Sequence, residues 1–159
     1  MTEGELFSSF ATHERWIGEA LKEARLAAEK GEVPVGALVV REGVVLGRGH
    51  NQVETLQDPT AHAEILAIGA AGGHGDDWRL EDATLYVTLE PCTMCCGAIL
   101  LSRVGRVVFG ASDPRAGAVA TTARLLDGNP YHHRVEVVGG ISAGDCGAVL
   151  SDFFRSRRD

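Results

Sequence analysis

Thr60-Ala61-His62-Ala63-Glu64 and Glu90-Pro91-Cys92-Thr93-Met94-Cys95 hold the residue types best suited to chemistry in this 159-residue chain. One imidazole and two thiolates are soft or borderline donors of the kind that hold tetrahedral zinc. Three protein ligands leave the fourth position to water, as a catalytic site requires, whereas a structural site is closed by a fourth protein ligand. Glu64 lies two positions after His62, so on a helix it points to a different side and is free to shuttle protons. Cys92 and Cys95, three apart at a helix start, share one face near the positive end of the macrodipole, which favours thiolates. Cys96 lies about 40° beyond one turn from Cys92, so angle alone leaves it a rival to Cys95. His50, His132 and His133 are further candidate ligands or substrate contacts, for which a surface or core role weighs more.

The elements that must position these groups follow from hydrophobic spacing. Trp16, Ile17, Ala20, Leu21, Ala24, Ala27 and Ala28 recur with helical period between Thr12, a candidate N-cap, and Lys30, with Gly31 placed for a left-handed C-terminal residue. Residues 1–10 show no sustained period and read as a flexible N-terminal tail, leaving 11–159 as a single domain. Val35 to Val40 and Val44 to Arg48 form a hairpin around Arg41-Glu42-Gly43. A helix from Ala61 to about Ala71, capped by Thr60 and ended by Gly72-Gly73, carries His62 and Glu64 in its first turn. Thr84 to Leu89 is a strand that feeds through Pro91 into a helix from Thr93 to Ser102. Strands at Val107 to Gly110 and Arg134 to Val138 flank an expected helix at Ala116 to Leu126, and Asp145 to Arg157 is an amphipathic closing helix. This alternation predicts an α/β fold with helices on both faces of the sheet. Two helix N-termini then converge on one ion from the ends of neighbouring strands.

The composition bounds the rest. A content of 45% hydrophobic and 23% charged residues fits one compact domain. The longest apolar stretches fall far short of the roughly 20 residues of a membrane helix, and the N-terminus lacks a signal pattern, so no membrane partner is expected. Three of four cysteines crowd into positions 92 to 96, which reads as metal binding in a reducing, cytoplasmic compartment. The net charge of −7 argues against a nucleic-acid partner until it is divided. Up to Ser102 there are 7 basic and 16 acidic residues; beyond it there are 8 basic, all Arg, and 6 acidic, so the later part carries +2. Arginine suits bidentate phosphate contacts and base stacking, so RNA binding is expected on a small, salt-sensitive face. In the closing helix Phe153 and Phe154 offer stacking surface and Arg155, Arg157 and Arg158 offer phosphate contacts; the competing arrangement packs both rings inward and leaves the arginines solvated. Phe154 and Arg155 are the substrate contacts taken from this helix.

His62-x-Glu64 followed by Pro91-Cys92-x-x-Cys95 is the signature of the zinc deaminases, and it selects Cys95 over Cys96 as the third ligand, leaving Cys96 as a small buried residue facing the sheet. From Trp16 to Arg158 the sequence resembles the bacterial tRNA-specific adenosine deaminases. The resemblance runs through Glu32 to Ala37, Asp58 to Glu64, Ala83 to Cys95, Ser102 to Ala111 and Leu150 to Arg155. It implies a cytidine-deaminase-like, three-layer α/β/α sandwich around a five-stranded mixed sheet, and a homodimer with one Zn2+ per subunit. It implies hydrolytic conversion of adenosine to inosine at the wobble position of a tRNA anticodon stem-loop. By the same resemblance His62, Cys92 and Cys95 are the zinc ligands and Glu64 the proton shuttle. Asn51 contacts the base, Val35 lines its pocket and Asp113 lies near the ribose. The chain departs from the family at Arg115 for the usual Lys, Ala120-Thr121 for a common Gly-Ser, and His132 where Asn is frequent. Two alternatives remain on this reading: a zinc deaminase of a free base or nucleoside such as guanine, cytosine or cytidine, and a non-catalytic zinc-binding subunit, against which an intact Glu64 speaks.

Overall fold

A computed structural model describes residues 2–75 and 77–158, so Met1 and Asp159, the outer ends of the expected tail and domain, lie outside the described residues. Strands β1 (Gly36–Arg41) and β2 (Val44–His50) form the expected hairpin. Its turn consists of Glu42 and Gly43, whose φ values of 50° and 76° are those of the tight turn that matches strand twist. Strands β3 (Thr84–Leu89), β4 (Arg106–Ala111) and β5 (Glu136–Val138) complete a five-stranded sheet in the order β2-β1-β3-β4-β5. β1 pairs antiparallel with β2 and β3, while β3, β4 and β5 run parallel, so the sheet is mixed.

Strand side chains alternate between two cores. Ala37, Val39, Leu85, Val87, Val107 and Phe109 face α3 (Ala63–Gly72) and α4 (Thr93–Ser102). Leu38, Val40, Tyr86 and Val108 face α1 (Glu3–Glu29) and α5 (Ala143–Arg158), against Trp16, Ile17, Ala20 and Leu21. The result is a three-layer α/β/α sandwich. No helix among the described residues is long and apolar enough to cross a membrane.

Four expectations need correction. The first helix begins at Glu3 rather than near Thr12, so residues 3–10 are helical rather than tail-like. Ser9 to Thr12 are exposed and carry no packing stripe, but no proline interrupts the run, and a helix nucleated on the packed part propagates through it. Thr60 does not cap α3. Its N–H and hydroxyl both donate to Asp58 Oδ1, and His62 occupies the N-cap position with extended backbone. A one-turn helix, α2 (Val53–Leu56), was not expected. Finally, residues 112–135 form turns and irregular chain rather than a helix at Ala116 to Leu126. The N–H groups of Val119, Ala120 and Thr121 donate to the Glu90 carboxylate, so they are withheld from the carbonyls four residues back that a helix would use.

The strand directions gather the candidate residues at one edge of the sheet. Gly36 at the start of β1 pairs with His50 at the end of β2, and Leu89 at the end of β3 pairs with Ala111 at the end of β4. Val35, Asn51, Glu90 and Asp113 therefore leave the sheet on the same side. Helix α3 reaches this edge because it lies directly on β2. A Cβ at Gly49 would stand 2.5 Å from the Ala63 carbonyl oxygen and 2.8 Å from the Ala67 nitrogen, and one at Gly47 would stand 2.4 Å from the Ala67 oxygen. Gly49→Ala forces backbone against backbone and should destabilise the fold by about 2 kcal/mol or more, lowering the melting temperature by roughly 4–8 °C in calorimetry.

Candidate metal centre and active site

His62 and Cys92 are the N-cap residues of α3 and α4, each with extended backbone, so the positive ends of two helix dipoles meet where these side chains meet. His62 Nδ1 lies 3.6 Å from the sulfurs of both Cys92 and Cys95, and the three donor atoms fall within 4.8 Å of one another. A tetrahedral ion bonded at about 2.1 Å to nitrogen and 2.3 Å to sulfur needs a nitrogen–sulfur edge of about 3.6 Å, so the spacing fits a first-row metal. Cys96 is fully buried, and its thiol is directed to the Pro91 carbonyl at 3.9 Å, among core residues on the same face of the sheet. It stands outside the donor group.

The electrostatics set the thiols apart and favour the thiolate at Cys92. Hydrogen bonds from Cys95 and His62 hold the Cys92 thiol far below its ordinary range. Cys95 is pushed up by its bond to Cys92 and by burial, and Cys96 is pushed up to about 12 chiefly by burial. The bond to Cys92 raises His62. Glu64, 4% exposed in the first turn of α3, is raised above the usual carboxylate range by burial. A carboxyl in this condition can both hold and release a proton beside the donor group.

His62, Glu64 and Cys92 line a pocket of about 860 Å³ that also takes in Val35, Asn51, Asp113 and Phe154. The Asn51 amide donates to the Val33 carbonyl at 3.2 Å, and its oxygen accepts the Val53 N–H at 3.3 Å, which fixes its orientation and leaves one N–H and one lone pair for a ligand. Asp113 Oδ1 accepts the N–H groups of Arg115 and Ala116. A larger groove of about 1040 Å³, along the loop before β5, contains none of the metal-donor group and is not the centre of the chemistry.

Arg155 is not brought to the pocket; it is exposed and pairs with Asp152 at 3.5 Å. Arg157 takes that place. Its guanidinium lies 4.7 Å over the Phe153 ring and donates to the Gly31 carbonyl, at the mouth beside half-exposed Phe154. Helical spacing accounts for this, since residues three and four apart share a face and Arg157, one of the arginines offered for phosphate contact, follows Phe153 and Phe154 at those intervals. Glu32 is a pocket residue to which the sequence assigned no role. It is buried, lines the pocket, and accepts the N–H groups of Glu54 at 3.0 Å and Thr55 at 2.7 Å. Burial opposes ionisation there, but these bonds bring its carboxyl below the usual range. A carboxylate just before a Val-Pro-Val run carried no signal beyond its type.

The family described as MafB19-like deaminase matches residues 11–158. The chain is 52% identical over 145 residues to the tRNA-specific adenosine deaminase of Bacillus subtilis strain 168, an alignment that covers 91% of this chain and 90% of that one. A solved structure from work on A-to-I editing by tRNA:A34 deaminases at the wobble position of transfer RNA superposes with a TM-score of 0.82 at 43% identity, covering 86% of this chain and 99% of that one. The guanine deaminase of Nitrosomonas europaea, at 24% identity and a TM-score of 0.74 over 88% of this chain and 83% of that one, shares the fold.

The geometry separates two neighbouring thiols. Cys95→Ala should abolish retention of a bound metal through purification, whereas Cys96→Ala should keep it near stoichiometric, as elemental analysis of the two proteins will read.

Proposed function

The chain belongs to the tRNA-specific adenosine deaminases within the MafB19-like deaminase family, and on that premise we propose that it converts adenosine to inosine at the wobble position of a tRNA anticodon. The observation that carries the reading is the buried Glu64 carboxyl beside the His62, Cys92 and Cys95 donor triangle, at the floor of one pocket. A structural metal site has no use for a proton carrier at that place. His62, Cys92 and Cys95 hold Zn2+ in this reading, one ion per subunit. When bound, zinc supplies the Lewis acidity that brings a water molecule's pKa toward neutrality.

Glu64 takes the proton from the attacking water as its oxygen adds to C6 of the flipped adenine. The same carboxyl passes that proton to the ring nitrogen, then takes the remaining proton of the hydroxyl added at C6 and delivers it to the amine, which leaves as ammonia. Val35 packs against the base, Asn51 meets its edge with the free half of the amide, and Asp113 receives a ribose hydroxyl. The cavity is larger than one planar base fills, and its mouth carries Phe154 and Arg157, which suit a stacked neighbouring base and a phosphate. These features favour a nucleotide held within a tRNA anticodon stem-loop over a free base or nucleoside. Exposed Leu101, and exposed Tyr131 on the loop whose carbonyl Arg103 binds, offer apolar surface to a second copy in a homodimer. A tRNA substrate places the activity in the cytoplasm.

An anticodon stem-loop RNA with a wobble adenosine should yield inosine and one equivalent of ammonia, while guanine, cytosine and cytidine yield none at comparable rates. Glu64→Ala should retain its metal and lose roughly 10²–10⁴-fold in turnover. Free-base turnover matching that of the RNA, or near-wild-type activity in Glu64→Ala, would refute the reading.

A further inference from the structure

Glu90 takes no part in the chemistry just described, yet it is the most heavily bonded side chain beside the site. It follows β3, directly before Pro91 and Cys92, and is 2% exposed. Oε1 accepts the Asp113 N–H at 3.1 Å and the Thr121 hydroxyl. Oε2 accepts the N–H groups of Val119 at 3.2 Å, Ala120 at 2.9 Å and Thr121 at 3.0 Å. Among the described residues no Lys or Arg is bonded to it. The segment closes tightly over this anion. A Cβ at Gly117 would stand 2.4 Å from Glu90 Cδ, and the Ala118 N–H donates to the Pro91 carbonyl at 2.9 Å.

The segment has no helix or strand of its own, and it supplies Asp113 and Ala116 to the pocket wall. Its shape therefore rests on one carboxylate contributed by the stretch that leads into the metal donors. We propose that Glu90 is a positioning residue that sets substrate affinity: its charge folds residues 113–121 into the pocket wall and locks that wall to the metal motif. The metal donors themselves stand at the starts of α3 and α4, so loss of the charge should loosen the wall and spare the metal. A glutamine at this position would turn an amide NH2 toward N–H donors, leaving several unsatisfied.

This proposal rests on the nucleotide-deaminase reading, and the test separates the two. In zinc-loaded Glu90→Gln, metal stoichiometry should be unchanged and the amides of residues 119–121 should exchange with solvent roughly tenfold faster or more. KM for the stem-loop RNA should rise about tenfold with kcat within about threefold, and Glu90→Asp, which keeps the charge, should recover part of the loss. Thr121→Val removes one donor and leaves the charge; its KM should rise about two- to threefold, and it carries the test if Glu90→Gln does not fold. An unchanged KM in Thr121→Val, or in folded Glu90→Gln, overturns the proposal, as does metal loss in proportion to activity. If the wild-type chain does not convert the stem-loop, the functional reading alone falls, and the exchange rates still decide whether Glu90 holds the loop.

Discussion

Helix α3 rests on β2 with backbone against backbone, and the metal donors depend on that contact. Any side chain at Gly47 or Gly49 would lift the helix by the width of a methyl group. His62 stands at the N-terminus of that helix, and its imidazole must reach two sulfurs fixed on a different helix. The position of α4 is set independently, by the crossover from β3 to its parallel neighbour β4. The donor triangle is the point where these two placements agree, and an error of an ångström in either would spoil tetrahedral spacing. Close packing of small residues thus does for geometry here what a fourth ligand does in a structural metal site.

Around this point the fold gathers negative groups and neutralises them almost without cations. Glu90 and Glu32 are both buried and both satisfied by main-chain N–H groups. Cys92 lies at a helix N-terminus. N–H dipoles are fixed in direction by the backbone, whereas a lysine or arginine would bring a mobile side chain and a full charge into the pocket. Among the described residues the Lys and Arg lining the pocket are Lys30 and Arg157, and the Arg157 guanidinium is held by a carbonyl and an aromatic ring. The pocket floor is thereby left to the donors and to Glu64.

Much of this was legible in the sequence because burial leaves a period. The strands alternate, the α4 run is apolar throughout, and the order of His, Glu and two Cys restricts the chemistry to very few kinds. What could not be read lies where conformation is decided by something other than burial. The start of α1 shows no apolar period in the sequence, and Ser9 to Thr12 are exposed, so burial left no pattern there to read. Residues 116–126 have helical composition, but a carboxylate more than twenty positions away takes their N–H groups, and no local pattern records a partner at that distance. Thr60 has the character of a helix cap and is diverted by Asp58 two residues earlier. Of the arginines that close α5, Arg157 is the one that lines the pocket, because the helical interval puts it over the Phe153 ring.

Every residue with a chemical duty exits the sheet at one edge, and this leaves the opposite edge without any. That far edge consists of the Glu42–Gly43 turn and the starts of β3, β4 and β5. The turn at its corner is exposed, two residues long and joined to nothing in the pocket. Chain inserted there would displace neither helix N-terminus, and exposed loop tips of this kind accept insertions readily. The molecule therefore has a permissive side, where added segments, fused domains or labels can be carried at a distance from the bond being broken.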